Sequence, residues 1–287
     1  MSANDSATTP AIETPQRTQW FDLAAIVVCT LAWGTTWFAI TKQLGVVDPV
    51  VSVTYRFALA AVLLFAWGAL RREKLALTRA QHFAALGVGF VFAAMAFMNL
   101  IVFRFAFNQR APLLAWAAGG LGVLGVGFLS WEEISSAELS NRALAGISLT
   151  LAGVLSAAIG NVYARKGEMA GAGVIASTGW AMGYGAAMLA VFAVATGKTW
   201  AFEFTAPYIV SLLHLSLVGS VIAFALYYGL ARRRGYATAS YISALTPPLA
   251  MFVSAMFEDK SWGVFALGGV VLVLAGQVLL LRSKRAA

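Results

Sequence analysis

Nine long apolar segments dominate this sequence and constrain its fold more than any other feature. A helix needs about 20 mostly apolar residues to cross a hydrocarbon core about 30 Å thick, and each segment approaches or exceeds that length. Only two formally charged side chains, Arg56 and Arg104, lie inside them. The runs are continuous rather than alternating, so they predict an all-α membrane protein and not a β-barrel. The segments span residues 23–41, 51–70, 83–107, 113–130, 143–164, 174–196, 207–230, 238–257 and 262–281.

The composition excludes a soluble enzyme, a disordered chain and a disulfide-rich secreted domain. Hydrophobic residues make up 60% of the chain and charged residues 11%, against about 25% charged residues in soluble domains. The single cysteine, Cys29, cannot form an intramolecular disulfide. Residues 1–22 lack the basic start and apolar core of a cleavable signal peptide. We therefore predict a flexible cytoplasmic tail at residues 1–22 and a basic cytoplasmic tail at residues 282–287.

Lysine and arginine residues in the short loops predict how the chain is oriented, because cytoplasmic loops carry an excess of them. Basic clusters follow the second, fifth and seventh segments and close the chain, whereas the loop 131–142 is acidic. Both termini and the basic clusters should then be cytoplasmic. Nine crossings cannot satisfy this pattern, but one further crossing between residues 80 and 112 satisfies all of it. The clusters are Arg71, Arg72, Lys74 and Arg79; Arg165 and Lys166; Arg232, Arg233 and Arg234; and Arg282, Lys284 and Arg285.

An internal repeat accounts for the missing crossing. Residues 107–112 resemble residues 257–262, and each stretch ends one apolar helix and opens the next. The helix that follows each stretch has the same glycine spacing. Each copy is thus a five-helix unit, and an odd number of helices makes the two copies inverted in the membrane. The matching glycines are Gly119, Gly120 and Gly127 in the first copy and Gly268, Gly269 and Gly276 in the second.

We therefore predict a ten-helix bundle of two inverted five-helix repeats, residues 23–130 and 143–281, in which only nine spans are visible. The first copy is shorter by about 25 residues, the length of one helix and a tight turn. The third helix is the truncated or missing one, and the join falls near Gly89 to Ala94. The alternative is a true nine-helix protein that breaks the orientation rule.

Three short motifs lie in the first, second and ninth helices of this arrangement. They are Leu31-Ala32-Trp33-Gly34, Tyr55-Arg56-Phe57-Ala58-Leu59-Ala60 and Leu245-Thr246-Pro247-Pro248. With the five-plus-five plan, they resemble the drug/metabolite transporter superfamily of EamA type, from about residue 23 to residue 281. Within that superfamily the sequence looks most like the aromatic amino-acid exporters. The adjacent prolines, which free backbone carbonyls, also predict a bend in the ninth helix.

The sequence contains no catalytic or metal-binding set. It has two histidines, His82 and His214, no paired carboxylates within a span and no metal-ligand spacing. We therefore predict that the protein is not an enzyme and needs no cofactor. Its net charge of +8 reports orientation in the membrane rather than a nucleic-acid partner. The expected partners are a small-molecule substrate and the lipid bilayer; the oligomeric state is unknown from the sequence, and a monomer is compatible with it.

Aromatic and polar side chains within the spans are the candidates for a substrate site near the midplane, between the two repeats. Aromatic rings can stack on a flat apolar substrate. Arg56 either extends to the membrane interface or pairs with a substrate carboxylate. His214 is either a hydrogen-bonded structural group or a cavity residue that titrates. The predicted lining residues are Trp33, Trp37, Asn99, Asn161, Tyr163, His214 and Tyr241.

The resemblance implies an inner-membrane carrier that exports small organic solutes, most of all aromatic amino acids and related metabolites, by alternating access. The alternative is a multidrug or lipid flippase of the same fold. No aspartate or glutamate lies in the middle of a span, and proton coupling usually needs an ionisable group there. We therefore expect the carrier to move its substrate down the substrate gradient without a proton gradient.

Overall fold

The computed structural model describes residues 15–43, 45–88, 158–257 and 263–283, with isolated positions at 117, 120, 121, 124, 128 and 155. These residues form helices and connecting turns, and no strand occurs among them. The prediction of an all-α chain is confirmed for this part of the sequence. The helices are α1 (Pro15–Thr41), α2 (Pro49–Leu70), α3 (Arg79–Val88), α4 (158–169), α5 (Val174–Ala195), α6 (Ala206–Arg234), α7 (Tyr236–Ala239), α8 (Tyr241–Phe257) and α9 (Val264–Ser283).

Four of the described helices are long and apolar enough to cross a membrane: α2, α5, α6 and the stretch Gln19–Thr41 of α1. They correspond to four of the predicted spans. α1 already begins at Pro15, so residues 15–22, which the sequence analysis assigned to the tail, are helical. The reason is that a polar stretch joined to an apolar helix can extend it beyond the hydrocarbon core. The predicted join at Gly89 to Ala94 and the additional crossing lie outside the described residues.

Local sequence signals set the ends of the helices that frame the site. Asp48 caps α2, because its Oδ1 accepts a 2.9 Å hydrogen bond from the backbone N–H of Val50, and Pro49 occupies the first helical position. Gly235 ends α6 with a φ of 88°, a conformation that glycine adopts without steric cost. The chain therefore turns sharply after the basic cluster of α6 and enters α7.

Helices α2 and α5 pack side by side and run in opposite directions. Gly68 near the end of α2 lies beside Ile175 at the start of α5, and Gly183 further along α5 lies beside Ala61. Small residues let the two backbones approach closely. These are the second helices of the two predicted repeats, and their antiparallel packing is what an inverted repeat requires.

A buried core joins α1, α2, α5, α6 and α8. Its centre contains side chains that are almost fully excluded from solvent, among them Leu64, Phe224, Tyr227, Leu230 and Ile242. The aromatic share is high, so ring packing contributes beyond the burial of apolar area. This core fixes α6 against α1 and α2, the three helices that carry the polar groups described below.

One end of the bundle, here the basic end, gathers the predicted basic clusters. Trp180 on α5 donates from Nε1 to the carbonyl of Leu75, 2.9 Å away, and Gln81 on α3 donates to the carbonyl of Ala170 at 2.8 Å. Asp22 on α1 forms ion pairs with Arg233 and Arg234 at the end of α6. These contacts place the clusters after α2, α4 and α6 at the same end, as the sequence predicted.

At the opposite end, here the Asp48 end, polar contacts join α2 to the segment before α6 and to the first turn of α6. Asp48 forms a 3.1 Å ion pair with Lys198. Ser52 and Tyr208 share a hydrogen bond of 3.0 Å, and the hydroxyl of Tyr55 donates to the carbonyl of Ala201 at 3.2 Å. The two ends of the bundle therefore differ in charge and in the contacts that join their helices.

Candidate functional site

Two adjoining cavities enter the bundle from the basic end, between α3, α4, α5 and α6. The first has a water-accessible volume of about 10 Å³ and lies beside Arg232. The second, of about 20 Å³, reaches inward to Phe57 and Phe224. Each has room for about one water molecule, and together they mark a narrow path from the charged end toward the middle of the bundle. Three residues line both cavities: Val88, Thr178 and Tyr228.

The wall of this path carries polar groups that have no hydrogen-bond partner among the described residues. Thr178 is 3% exposed, and its Oγ1 has no hydrogen-bond partner within the described part of the chain. The Nε of Arg232 likewise has none there. Leaving a buried polar group unsatisfied costs about 1–3 kcal/mol. A solute that supplies a hydrogen bond to Thr178 therefore gains affinity from a group that is already desolvated.

An aromatic cluster lies just beyond the second cavity. The ring of Trp33 on α1 packs against Phe224 and Tyr227 on α6, with centroid distances of 5.3 and 5.4 Å. Asn161 on α4 donates from Nδ2 to the hydroxyl of Tyr227 at 3.1 Å. The inner end of the path is thus an aromatic surface with a buried amide beside it.

The middle of α6 is a π-helix over His214–Ile222, here the π segment. The Ser220 hydroxyl donates to the carbonyl of Leu215, five residues earlier, at 3.0 Å. The indole N–H of Trp33 donates to the carbonyl of Gly219. π-helical turns are rare and occur frequently at functional sites.

The π segment also brings two charged or titratable side chains to the interface of α6 with α1 and α2. Arg56 donates from Nε to the hydroxyl of Ser220 at 3.0 Å. The Nε2 of His214 lies 3.2 Å from the hydroxyl of Thr35 on α1. Arg56 on α2 therefore turns toward α6, which favours the second of its two interpretations. His214 takes part in a hydrogen bond between helices.

The structure brings some of the predicted site residues together and separates others. Trp33 and Asn161 both contact Tyr227, whereas Tyr163 lies on the wall of the outer cavity and its ring packs against Phe83 at 5.6 Å. His214 begins the π segment. Tyr241 is buried at the start of α8, with 8% exposure. The side chain of Trp37 and the whole of Asn99 lie outside the described residues.

Sequence reasoning missed the side chains that define the path, above all Thr178 and Tyr228. Thr178 is a polar residue inside an apolar span, and that signal was available in the sequence. Tyr228 and Phe224 gave no such signal, because aromatic residues are common in every span of this chain. The position of the π segment was also missed. Pro247 and Pro248, where the sequence predicts a bend, both lie within α8, which runs through them without interruption.

The charge at the Asp48 end is stabilised by its surroundings. The backbone N–H of Val50 donates to Asp48 and, with the nearby Lys198 ammonium, holds the pKa of its carboxyl below the ordinary value of 3.8. Tyr55 packs edge-on against Trp200 and Phe202 at 5.9 and 5.8 Å. An ion pair and an aromatic layer thus close the end that lies opposite the cavities.

Comparison with known proteins agrees with this architecture. Residues 144–282 match the EamA-like transporter family. The EamA-like region covers just under half of the chain, supports a place in the drug/metabolite transporter superfamily and indicates a multi-pass membrane transporter of small solutes. The crystal structure of another protein has a similar fold, with a TM-score of 0.72 and 18% sequence identity. The match covers 93% of this chain and 99% of that chain. At that identity the similarity shows the fold alone. No curated protein matches the sequence.

Proposed function

We propose that this EamA-like protein is a carrier of small organic solutes that works by alternating access, with aromatic amino acids as its substrates. One observation carries the proposal: two narrow cavities follow one another from Arg232 to Phe57 and Phe224, while contacts such as Asp48 with Lys198 join the described helices at the other end. A carrier that opens to one side at a time needs this asymmetry.

The lining of the path supports aromatic amino acids as substrates. Phe57, Met182, Phe224 and Tyr228 offer apolar and aromatic surface to a flat ring. Thr178 offers a hydroxyl that can bind the polar end of the same molecule. Binding sites for small molecules combine such an apolar wall with a few placed polar groups. The resemblance of the sequence to aromatic amino-acid exporters points the same way.

The direction of transport follows from the orientation rule. If the basic end faces the cytoplasm, as an excess of lysine and arginine predicts, the cavities lie on the cytoplasmic side, and a substrate for export enters along them when they widen. Both termini are then cytoplasmic, and the membrane is the bacterial-type inner membrane. The path lies within one bundle, so a monomer can perform the transport.

The proposal is tested with purified protein in proteoliposomes, by measuring the uptake of labelled tryptophan and phenylalanine. Thr178→Val keeps the side-chain volume and removes the hydroxyl, so we expect a several-fold higher half-saturation concentration. Thr196→Val is the matched control, because the Thr196 hydroxyl bonds to the carbonyl of Phe192 at the exposed end of the same helix. It should leave the half-saturation unchanged.

A second measurement locates the substrate. In the variant Thr178→Cys, a small thiol reagent should label the new cysteine through the cavities, and tryptophan should slow the labelling. The native Cys29 is fully buried, so the background should be low. Protection by bulky organic cations but not by tryptophan would favour the multidrug flippase, and absence of any solute flux would contradict the transport proposal itself.

A further inference from the structure

We propose that Arg56 and the π segment form a binding site for the carboxylate group of the substrate. This inference rests on the proposed function, because it names the part of the solute that the carrier recognises. The site lies between α2 and α6, next to the aromatic cluster of Trp33 and Phe224. It recognises an organic carboxylate rather than an amine or a neutral solute.

The position of the Arg56 guanidinium is the first observation. Arg56 lies two turns into α2, roughly 10 Å along the helix from its first residue. Its Nε donates to Ser220, and its Nη2 lies 3.5 Å from the place that a Cβ on Gly219 would occupy. The charge is therefore held inside the bundle, against the π segment.

The second observation is that no carboxylate among the described residues pairs with this charge. The ion pairs among the described residues do not include Arg56. The nine apolar segments of the sequence contain no aspartate or glutamate. An arginine within a membrane bundle that lacks a counter-charge is costly to retain. The site therefore calls for a mobile anion.

The free donors of Arg56 fit a carboxylate in particular. A guanidinium has five N–H donors, and within the described residues Arg56 uses only the one on Nε. The donors that remain form the planar fork that binds two carboxylate oxygens at once. Gly219 keeps the space beside the fork open, because a Cβ there would lie only 3.3 Å from the hydroxyl of Thr36.

The aromatic wall of the inner cavity lies next to Arg56 and the π segment, so one ligand can contact both. Phe57, a wall of the inner cavity, follows Arg56 directly in the chain, and Phe224 follows Ser220 by one helical turn. The indole of Trp33 contacts both parts, since it packs on Phe224 and bonds to the carbonyl of Gly219. A ring packed against Phe57 and Phe224 would thus place an attached carboxylate toward Arg56.

Binding to the purified full chain tests the inference independently of transport. The probes are indole-3-acetate and its matched amide, indole-3-acetamide. Sodium acetate serves as a carboxylate without a ring, and sodium chloride as an inorganic anion. Affinity is measured from the ligand-dependent rise in melting temperature. We expect the carboxylate to bind at least tenfold more tightly than the amide, and Arg56→Gln to abolish that difference. Arg56→Lys should restore part of it, because it keeps the charge but not the fork.

Arg165→Gln is the control variant, since Arg165 pairs with Glu168 away from the π segment. This variant should bind both probes as the native protein does.

If Arg56→Gln lowers the melting temperature of the free protein and leaves the preference for the carboxylate intact, Arg56 is structural and the inference fails. If chloride and acetate bind as tightly as indole-3-acetate through Arg56, the site is for small anions and the substrate assignment fails. Should Arg56→Gln not fold, Arg56→Lys carries the test: an unchanged preference in that variant contradicts the bidentate site. Carboxylate binding through Arg56 without tryptophan transport would overturn the proposed function but not the carboxylate site.

Discussion

The indole nitrogen of Trp33 on α1 donates a 3.0 Å hydrogen bond to the backbone carbonyl of Gly219, in the middle of the π segment of α6. The bond joins the first helix of one predicted repeat to the irregular part of a helix in the other. A backbone carbonyl in the membrane needs a donor, and here a side chain from a neighbouring helix provides one. The shape of the candidate site is therefore set jointly by α1 and α6.

Replacing Trp33 by phenylalanine tests this joint control. Phenylalanine keeps an aromatic ring but lacks the N–H donor. We therefore expect a loss of about 1 kcal/mol of stability and a several-fold higher half-saturation concentration for aromatic amino acids. Trp180→Phe is the matched control, because the Trp180 indole bonds to the carbonyl of Leu75 at the basic end. It should lower the melting temperature by a similar amount and leave the half-saturation unchanged. Equal transport effects in both variants would assign Trp33 to packing alone.

Gly34 marks the closest approach of α1 to α8. A Cβ at this position would lie 2.5 Å from Cδ2 and 2.7 Å from Cγ of Leu249. We therefore expect Gly34→Ala to push the helices apart and to lower the melting temperature by several degrees, since overpacking typically costs about 1–3 kcal/mol. At Gly183 an added Cβ would meet Ala61 at 3.9 Å, an ordinary contact. Gly183→Ala should accordingly be neutral, and thermal unfolding in detergent compares the two.

Asp22 connects the start of α1 to the end of α6 at the basic end. Its carboxylate pairs with Arg233 at 3.0 Å and with Arg234, and the residue is 7% exposed. Asp22→Asn should lower stability by about 1–3 kcal/mol, because it leaves charged donors without their acceptor. Glu168→Gln removes a single pair with Arg165, and its effect should stay below about 1 kcal/mol. Thermal melts at low and high salt should show a smaller Asp22→Asn effect at high salt.

The Asp48 end should respond to acid. Because the pKa of Asp48 is lowered in the folded protein, its contribution to stability is present above the ordinary pKa and is lost as the pH falls through the lowered value. The melting temperature of the native protein should therefore fall more steeply below about pH 4 than that of Asp48→Asn. The asparagine variant keeps the cap on α2, so it isolates the charge. Parallel melting curves across this pH range would exclude a role for the ion pair with Lys198.

Proton coupling is the remaining question for transport. No aspartate or glutamate lies in the middle of a described span, and His214 is the titratable imidazole there. We expect uptake into proteoliposomes at equal pH on both sides, with no loss on adding a protonophore. A requirement for a pH gradient would contradict facilitated diffusion, and coupling that persists in His214→Ala would then place the proton site elsewhere.

Particular residues show how far the sequence could predict the site. Trp33, Asn161, Tyr163 and His214 were identified because polar and aromatic side chains within an apolar span are conspicuous, and each lies at or beside the path or the π segment. Thr178 was missed, because a lone threonine in a span usually bonds to its own helix. The sequence also could not decide between the two readings of Arg56.

The sequence by itself determined that this protein lies in a lipid bilayer, that the part the structure describes is helical, and that the basic residues gather at one end of the bundle. These follow from composition and from the spacing of charges, which act locally along the chain. Only the tertiary structure decided that α2 and α5 pack directly against each other, that α6 is a π-helix between His214 and Ile222, and that Arg56 faces Ser220. Such features depend on which side chain meets which carbonyl across two helices distant in the sequence, and no local pattern of residues specifies that pairing.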